Sequence, residues 1–405
     1  MILKQCKYVI TQDPKRKMLA DVDVRIEGER IVEIGYKLKG DETLPCNDKI
    51  VMPAFANCHV HSDIPFIDMP EEEFANRYPF SLIELEERLR KETSLLSTEI
   101  LMEESLMRGC TLLVLFTKHY QEAQEIAKKV GIRIVTGPLI SSIEDLEKVS
   151  NQKNAKTYCM YFTKLLEEST FNELSELLQD RGNKRIYVHI SEDRKAVFRI
   201  KRKYGKFPVE LLDRIGLLNG NTVLVHASWI TNWEIEMMSN KGSSVVYCPS
   251  AEMKLGTGGF PPLRDFINRG IPVGLGTDSL LTGLSFDIIE EARLALLHQR
   301  ESYKGLVVSP KDVLNLITTN VEELTNFKIG KIKEGYLADL ILIKLKPKFY
   351  ASLKESLILR VFYQLEYTDI ESVITRGKLI QINKQRSNIR ESINHKLVNL
   401  FESVL

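Results

Sequence analysis

Residues 51–61 read VMPAFANCHVH. An apolar run without helical spacing, closing on two histidines two positions apart, is the pattern of a buried strand whose exit carries polar chemistry. Before it, residues 4–10 and 22–34 alternate apolar and polar side chains around Glu27-Gly28-Glu29, which predicts short antiparallel strands and a turn. From residue 51 onward the rhythm changes. Apolar strands are predicted at 51–58, 111–116, 132–136, 157–162, 185–190, 222–226, 243–248 and 271–276. Helical patterns fall between them at 121–130, 171–181, 193–204, 232–241 and 262–269, several stopped by glycine. Eight strands alternating with helices is the count of a (β/α)8 TIM barrel, although a doubly wound open sheet has the same local pattern. After residue 335, ADLILIKL, SVITRG and KLIQI return to strand periodicity, and 387–404 reads as a terminal amphipathic helix. The two strand-rich ends are expected to meet as one small β domain beside the barrel.

The composition narrows the function. The chain has 405 residues, 43% hydrophobic and 27% charged, which is enough apolar mass for a large core. Lys+Arg 56 against Asp+Glu 55 leaves a net charge of +1, so no basic excess points to nucleic acid or an anionic membrane. Six scattered cysteines without a CxxC pair read as reduced, mostly buried thiols in a cytoplasmic protein. The start, MILKQCKYVI, lacks a signal-peptide stretch. The longest apolar run, 110–116, is far short of the roughly 20 residues of a spanning helix.

The chemistry gathers at strand ends. His59 and His61 close the first barrel strand, His189 the fifth and His226 the sixth, while Asp278 follows the eighth in GLGTDS. In a (β/α)8 barrel those ends converge on one mouth. Three or four imidazoles and a carboxylate there form an N/O set for one divalent metal, zinc first, with iron or manganese as alternatives. A lone HxH is a common surface pair, and a lone His in VLVH is more often a core histidine. Five such residues at four independent strand ends are not explained that way. Glu192, three beyond His189, reads blandly as an acid at a helix start. Read chemically, it is a carboxylate placed to shuttle protons beside a metal-activated water. His119 after the second strand is a lesser candidate for touching substrate, His298 reads as helix surface or packing, and Lys164 as a surface lysine. The cytidine-type HxE…PCxxC signature is absent.

VMPAFANCHVH, VHISED, LVHASWIT, YCPSAEMKLGTG, VGLGTDS and the late GKIKEGYLADLILI resemble, in that order, the motifs of the amidohydrolase superfamily. They are most similar to its metal-dependent deaminase and chlorohydrolase branch, the adenosylhomocysteine, methylthioadenosine, guanine and hydroxyatrazine-type enzymes. The resemblance covers nearly the whole chain. It implies a barrel over 53–335, a composite β-sandwich from 1–52 and 336–385, and a C-terminal helix over 386–405. It implies one metal on His59, His61, His189 and Asp278, with Asp278 also accepting the water's proton, Glu192 as proton shuttle and His226 orienting the attacking oxygen. The implied reaction is hydrolytic deamination of a purine, pterin or nucleoside-like heterocycle. Dechlorination or cyclic-amide hydrolysis is the enzymatic alternative, and a non-enzymatic scaffold is disfavoured because every ligand position is filled. The expected partner is a small heterocyclic substrate, with a homo-oligomer left open.

The chain also departs from the branch where substrate is contacted. Ala251-Glu252 stands where the branch has Ser-Asn, SLLTGLSF follows GTD, the loop after the fourth strand is shortened, and 64–80 reads IPFIDMPEEEFANRYPF. Glu252 has two readings. It caps a turn or pairs with Lys254 in solvent, or it faces the pocket and accepts hydrogen bonds from substrate.

Overall fold

The stretch 51–61 belongs to two sheets, not one. The computed structural model describes residues 1–15, 18–63, 88–150, 157–168, 184–257, 259–350, 354–382 and 391–396, with 172 and 398. Near the N-terminus run β1 (Ile2–Ile10), β2 (Met18–Glu27), β3 (Arg30–Gly35), β4 (Thr43–Pro45) and β5 (Lys49–Pro53). Then β6 (Phe55–His61) starts a different sheet. Two backbone bonds divide the stretch. The Ala54 N–H donates to Asp339 O on one side, and the Phe55 N–H to Gly109 O on the other, both at 2.9 Å.

The strand count continues with β7 (Cys110–Phe116), β8 (Arg133–Val135), β9 (Leu139–Ile140), β10 (Thr157–Met160) and β11 (Arg185–Ile190). It ends with β12 (Thr222–His226), β13 (Ser244–Tyr247), β14 (Val273–Leu275), β15 (Leu340–Lys344), β16 (Ile370–Thr375) and β17 (Lys378–Ile380). Parallel pairing gives the orders β6-β7-β8 and β9-β10-β11-β12-β13-β14. The third predicted strand, 132–136, is β8 alone, and the short β9 that follows it belongs to the other parallel sheet. The ends of the chain share one sheet, β17-β16-β15-β5-β1-β2-β3, with β4 on β1. The strands at 338–345 and 372–382 are thus joined to the N-terminal ones. A helix at Lys354–Gln364, absent from the sequence reading, interrupts them.

The strands between β6 and β14 are buried on both faces, which is why they read as continuous apolar runs. Leu112, Val114, Phe116, Val223, Val225 and Val246 belong to one buried cluster. Their alternates Leu113, Leu115, Leu224, Val245 and Val273 belong to another, with helical residues such as Ala123 and Ile200. The helices Arg194–Tyr204 and Asn232–Lys241 lie where the pattern placed them. Asp193 and Thr231 cap them, accepting from Ala196 N and Glu234 N, as N-cap side chains do. The predicted 171–181 helix and the 64–80 loop fall almost wholly outside the described residues. Of the predicted 387–404 helix, 391–396 is described, and it is helical.

Candidate metal centre and active site

Adjacent strand ends bring the polar residues together. On β11 and β12, His189 pairs with Val225 and Ile190 with His226. Val60 forms a parallel bridge with Asp278, and the Asp278 N–H donates to His59 O at 3.1 Å. Asn57 holds the same junction: its amide donates to Thr277 Oγ1 at 2.7 Å and its Oδ1 accepts from Thr277 N at 3.2 Å. Gly276 is needed there, because a Cβ would lie 2.7 Å from His59 Cβ. The pairing of β6 with β7 slips between Asn57 and Val60. That extra residue lets His59 and His61 follow Ala56 and Cys58 into the same interior, which is how bulges re-aim side chains near active sites. Both rings pack on Phe116, at 4.4 and 5.3 Å.

Ring centroids of His61 and His189 both lie 4.8 Å from that of His59, and His226 lies 5.8 Å away. Ser191, His226, Ala227 and Asp278 all hold positive φ, from +50° to +73°. Such conformations are strained for non-glycine residues and gather at functional sites.

The donor atoms fit a single cation. His61 Nε2 lies 3.2 Å from His189 Nε2, and Asp278 Oδ1 lies 3.5 Å from His59 Nε2 and 3.6 Å from His61 Nε2. Ligands about 2.0–2.2 Å from one ion stand about 3–4 Å from each other. The outer nitrogens are already engaged. His189 Nδ1 faces the Met160 carbonyl at 3.4 Å and His61 Nδ1 faces Tyr161 Oη at 3.3 Å. A carbonyl only accepts, so His189 carries its proton on Nδ1 and turns an Nε2 lone pair inward. Both ring nitrogens of His59 and both oxygens of Asp278 are buried without a hydrogen-bond partner among the described residues, an expensive state that a cation relieves. Burial first, then the neighbouring imidazoles, holds His59 and His189 well below the usual histidine range. Burial also pushes His226 down to about 4, against the opposing pull of Asp278. Neutral imidazoles are the form that ligates. Two groups could hold a cation, His59 with His61 and His189 and His59 with His226 and Asp278, and they share His59.

The family model described as Amidohydrolase family matches residues 50–380. The chain belongs to the amidohydrolase family. It is 27% identical over 411 positions to a 5-methylthioadenosine/S-adenosylhomocysteine deaminase of Pyrococcus abyssi, covering 95% of each chain. A zinc-bound adenosine deaminase from Xanthomonas campestris superposes with a TM-score of 0.85 at 19% identity, covering 99% of this chain and 98% of that one. A mutant atrazine chlorohydrolase from Arthrobacter aurescens, complexed with zinc and atraton, gives 0.81 at 18% identity and covers 98% and 99%. As a member of that family, this amidohydrolase is a hydrolase.

The acidic residues of this amidohydrolase collect around His226. Glu192 Oε1 lies 3.3 Å from His226 Nε2, and Glu252 Oε1 lies 3.5 Å from His226 Nδ1. Glu252 is 3% exposed, so it does not cap a solvated turn. Burial first, then Glu192 and Asp278, raises its carboxyl well above the usual range. Glu291, on the helix Ile288–Tyr303, is buried and accepts the N–H of Ser250, two residues before Glu252, at 3.0 Å. Burial pushes Glu291 up to about 8.

Other candidates lie elsewhere. His119 starts the helix Tyr120–Val130 among Glu122, Lys91 and Lys118. It is outside both histidine groups. Lys164 is not a plain surface lysine: it is half-buried on the helix Phe162–Glu168 and donates to Ser141 O at 2.9 Å. His298 packs, taking a 2.6 Å contact from Tyr247 Oη at Nδ1. The sequence reading missed Asn57, Tyr161, Asp63 and Glu291. Asp63, 1% exposed, accepts the Lys118 N–H at 2.8 Å and so ties the chain after His61 to the end of β7. Only its closeness to HxH could have flagged it. All six cysteines are buried and free, and no helix among the described residues is long and apolar enough to cross a membrane.

Proposed function

We propose that this amidohydrolase deaminates a purine nucleoside-like heterocycle at one divalent metal, zinc first, held by His59, His61, His189 and Asp278. The carrying observation is the 3.2 Å separation of the His61 and His189 Nε2 atoms, each with its other nitrogen engaged. The deaminase name of the Pyrococcus relative supports the choice of reaction. We read the two parallel sheets as one closed (β/α)8 barrel over 53–335, supported by the Val60–Asp278 bridge and by the superposed amidohydrolases. Residues 1–52 and 336–385 form the composite β-sandwich in this reading, with 386–405 as a terminal helix, in a cytoplasmic protein.

A bound divalent metal lowers the pKa of water from 15.7 towards about 7. Asp278 accepts the proton that the water gives up as its oxygen bonds to the ring carbon. Glu192 protonates the adjacent ring nitrogen, making that carbon electrophilic, and regains a proton from the added hydroxyl as it becomes a carbonyl, while the proton held by Asp278 passes to the exocyclic amine. The carbon–nitrogen bond then breaks and ammonia leaves, since an unprotonated amine is a poor leaving group. His226, with Nε2 beside Glu192, orients the attacking oxygen.

The test is ammonia release from methylthioadenosine, adenosylhomocysteine, adenosine, guanine, pterins and triazines, with chloride release measured on the chlorinated triazines. Turnover of a purine substrate that stops on chelation and returns with zinc is expected. Chloride release without ammonia release would overturn deamination in favour of the dechlorinating alternative.

A further inference from the structure

Glu252 stands where the branch carries a neutral residue, and the structure gives it a neighbour that no motif assigns. It lies on the short helix Pro249–Lys254, directly after β13, and β13 pairs with β12, which ends in His226. The helix is fixed from several sides. Ser250 N–H donates to Glu291, Glu252 N–H donates to Cys248 O at 3.1 Å, and Ala251 packs into the interior cluster. The Glu252 carboxyl therefore has little freedom. Its Oε1 comes 3.5 Å from His226 Nδ1, with each side chain 1% exposed, and neither atom has a closer hydrogen-bond partner among the described residues.

A histidine ring needs such a partner. The χ2 torsion of His is broad and two-fold, so packing alone does not choose which face of the ring points where. A flip exchanges a nitrogen for a carbon of nearly equal size. The role of one nitrogen is then set by the hydrogen bond that the other makes. At His226 the backbone holds φ +73° and so aims the ring, but it leaves this two-fold choice open.

We propose that Glu252 is a positioning residue for His226, holding the Nδ1 edge of the ring so that Nε2 stays turned to Glu192. The proposal rests on the functional reading of His226 and Glu192 given above. It differs from a substrate contact by Glu252, because the carboxyl acts through the ring. The carboxyl also has the Ser228 side chain beside it, so an apolar replacement leaves the His226 ring buried without its carboxyl partner and costs some stability.

The experiment compares wild type, Glu252→Leu and Glu252→Gln as full-length, metal-loaded protein. Glu252→Leu should lower kcat about 10–100-fold, as loss of a histidine-orienting partner does, with KM within about threefold. Metal content should be unchanged, and Tm should fall by no more than about 2–4 °C. Glu252→Gln, which keeps a polar oxygen facing Nδ1, should recover most of kcat. In metal-free protein labelled with ¹⁵N-histidine, the His226 Nδ1 signal, assigned with His226→Gln, should move in the Leu variant and stay in the Gln variant. A raised KM with unchanged kcat would overturn the proposal in favour of a substrate contact. A fall in Tm and kcat together in both variants would reduce Glu252 to a structural role, and an unmoved His226 signal would also sink the idea. If wild type deaminates none of the nucleosides, the functional reading fails while the ¹⁵N and Tm results still decide the role of Glu252.

Discussion

The His61–His189 side of the site and the His226 side use the same side chain in opposite surroundings. On the first, the outer nitrogens face neutral groups, the Met160 carbonyl and the Tyr161 hydroxyl. On the second, both nitrogens of His226 face carboxyl groups, Glu192 and Glu252. Neutral partners leave an imidazole neutral and its inner lone pair free for a cation. Carboxyl partners make an imidazole a participant in proton traffic. In the proposed function, one ring type thus serves as ligand or as proton-handling group according to what stands behind it.

The largest expected effect falls on the ligand side. His61→Ala should lose metal and activity together, with turnover below detection, read by elemental analysis alongside the ammonia assay. Retained stoichiometric metal would move the ion to the overlapping His59, His226 and Asp278 set and break the comparison. Next, Glu192→Gln keeps size and polarity but removes the titrating proton, so kcat should fall by about 10²–10⁴-fold while metal content survives. Near-wild-type turnover would remove the proton-handling role from that side.

A smaller effect sharpens the ligand side. Tyr161→Phe deletes the hydroxyl at His61 Nδ1 and keeps the ring that stacks on His189 at 4.4 Å. Metal affinity should weaken by about 10–100-fold, measured by competition with a chelator. Unchanged affinity would leave the tautomer of His61 to some other group.

The smallest effect concerns pH. Glu291 is held up at about 8 in the folded chain, from an ordinary 4.5. A raised folded pKa contributes stability that is complete below the unfolded value and lost as pH rises through the folded one. Wild type should therefore lose Tm between pH 5 and 8.5. Glu291→Gln, still able to accept from Ser250 N, should lose less, by about 2–4 °C. Parallel pH profiles would contradict the buried, protonated state of Glu291.

Much of this site was legible because its residues sit at the ends of apolar runs. His59, His61, His189, His226 and Asp278 each follow a strand-like stretch, and strand ends of this architecture converge. The partners behind them were not legible. Tyr161 looks like the last residue of an apolar strand, Glu291 like one more acid in EEARLALLHQR, and Asn57 like a polar interruption in VMPAFANCHVH. The division of 51–61 between two sheets was equally hidden, since both halves are apolar and extended.

Local periodicity determined the alternation of strands and helices, the residue types at each strand exit and the order of the motifs, because these depend on neighbours within a few positions. Tertiary structure alone decided that β6 slips by one residue before His59, that Met160 and Tyr161 stand behind His189 and His61, and that His226 lies between Glu192 and Glu252. Hydrogen-bond partners and proton affinities are set by atoms within a few ångströms in space. In this chain those atoms come from segments tens to hundreds of residues apart.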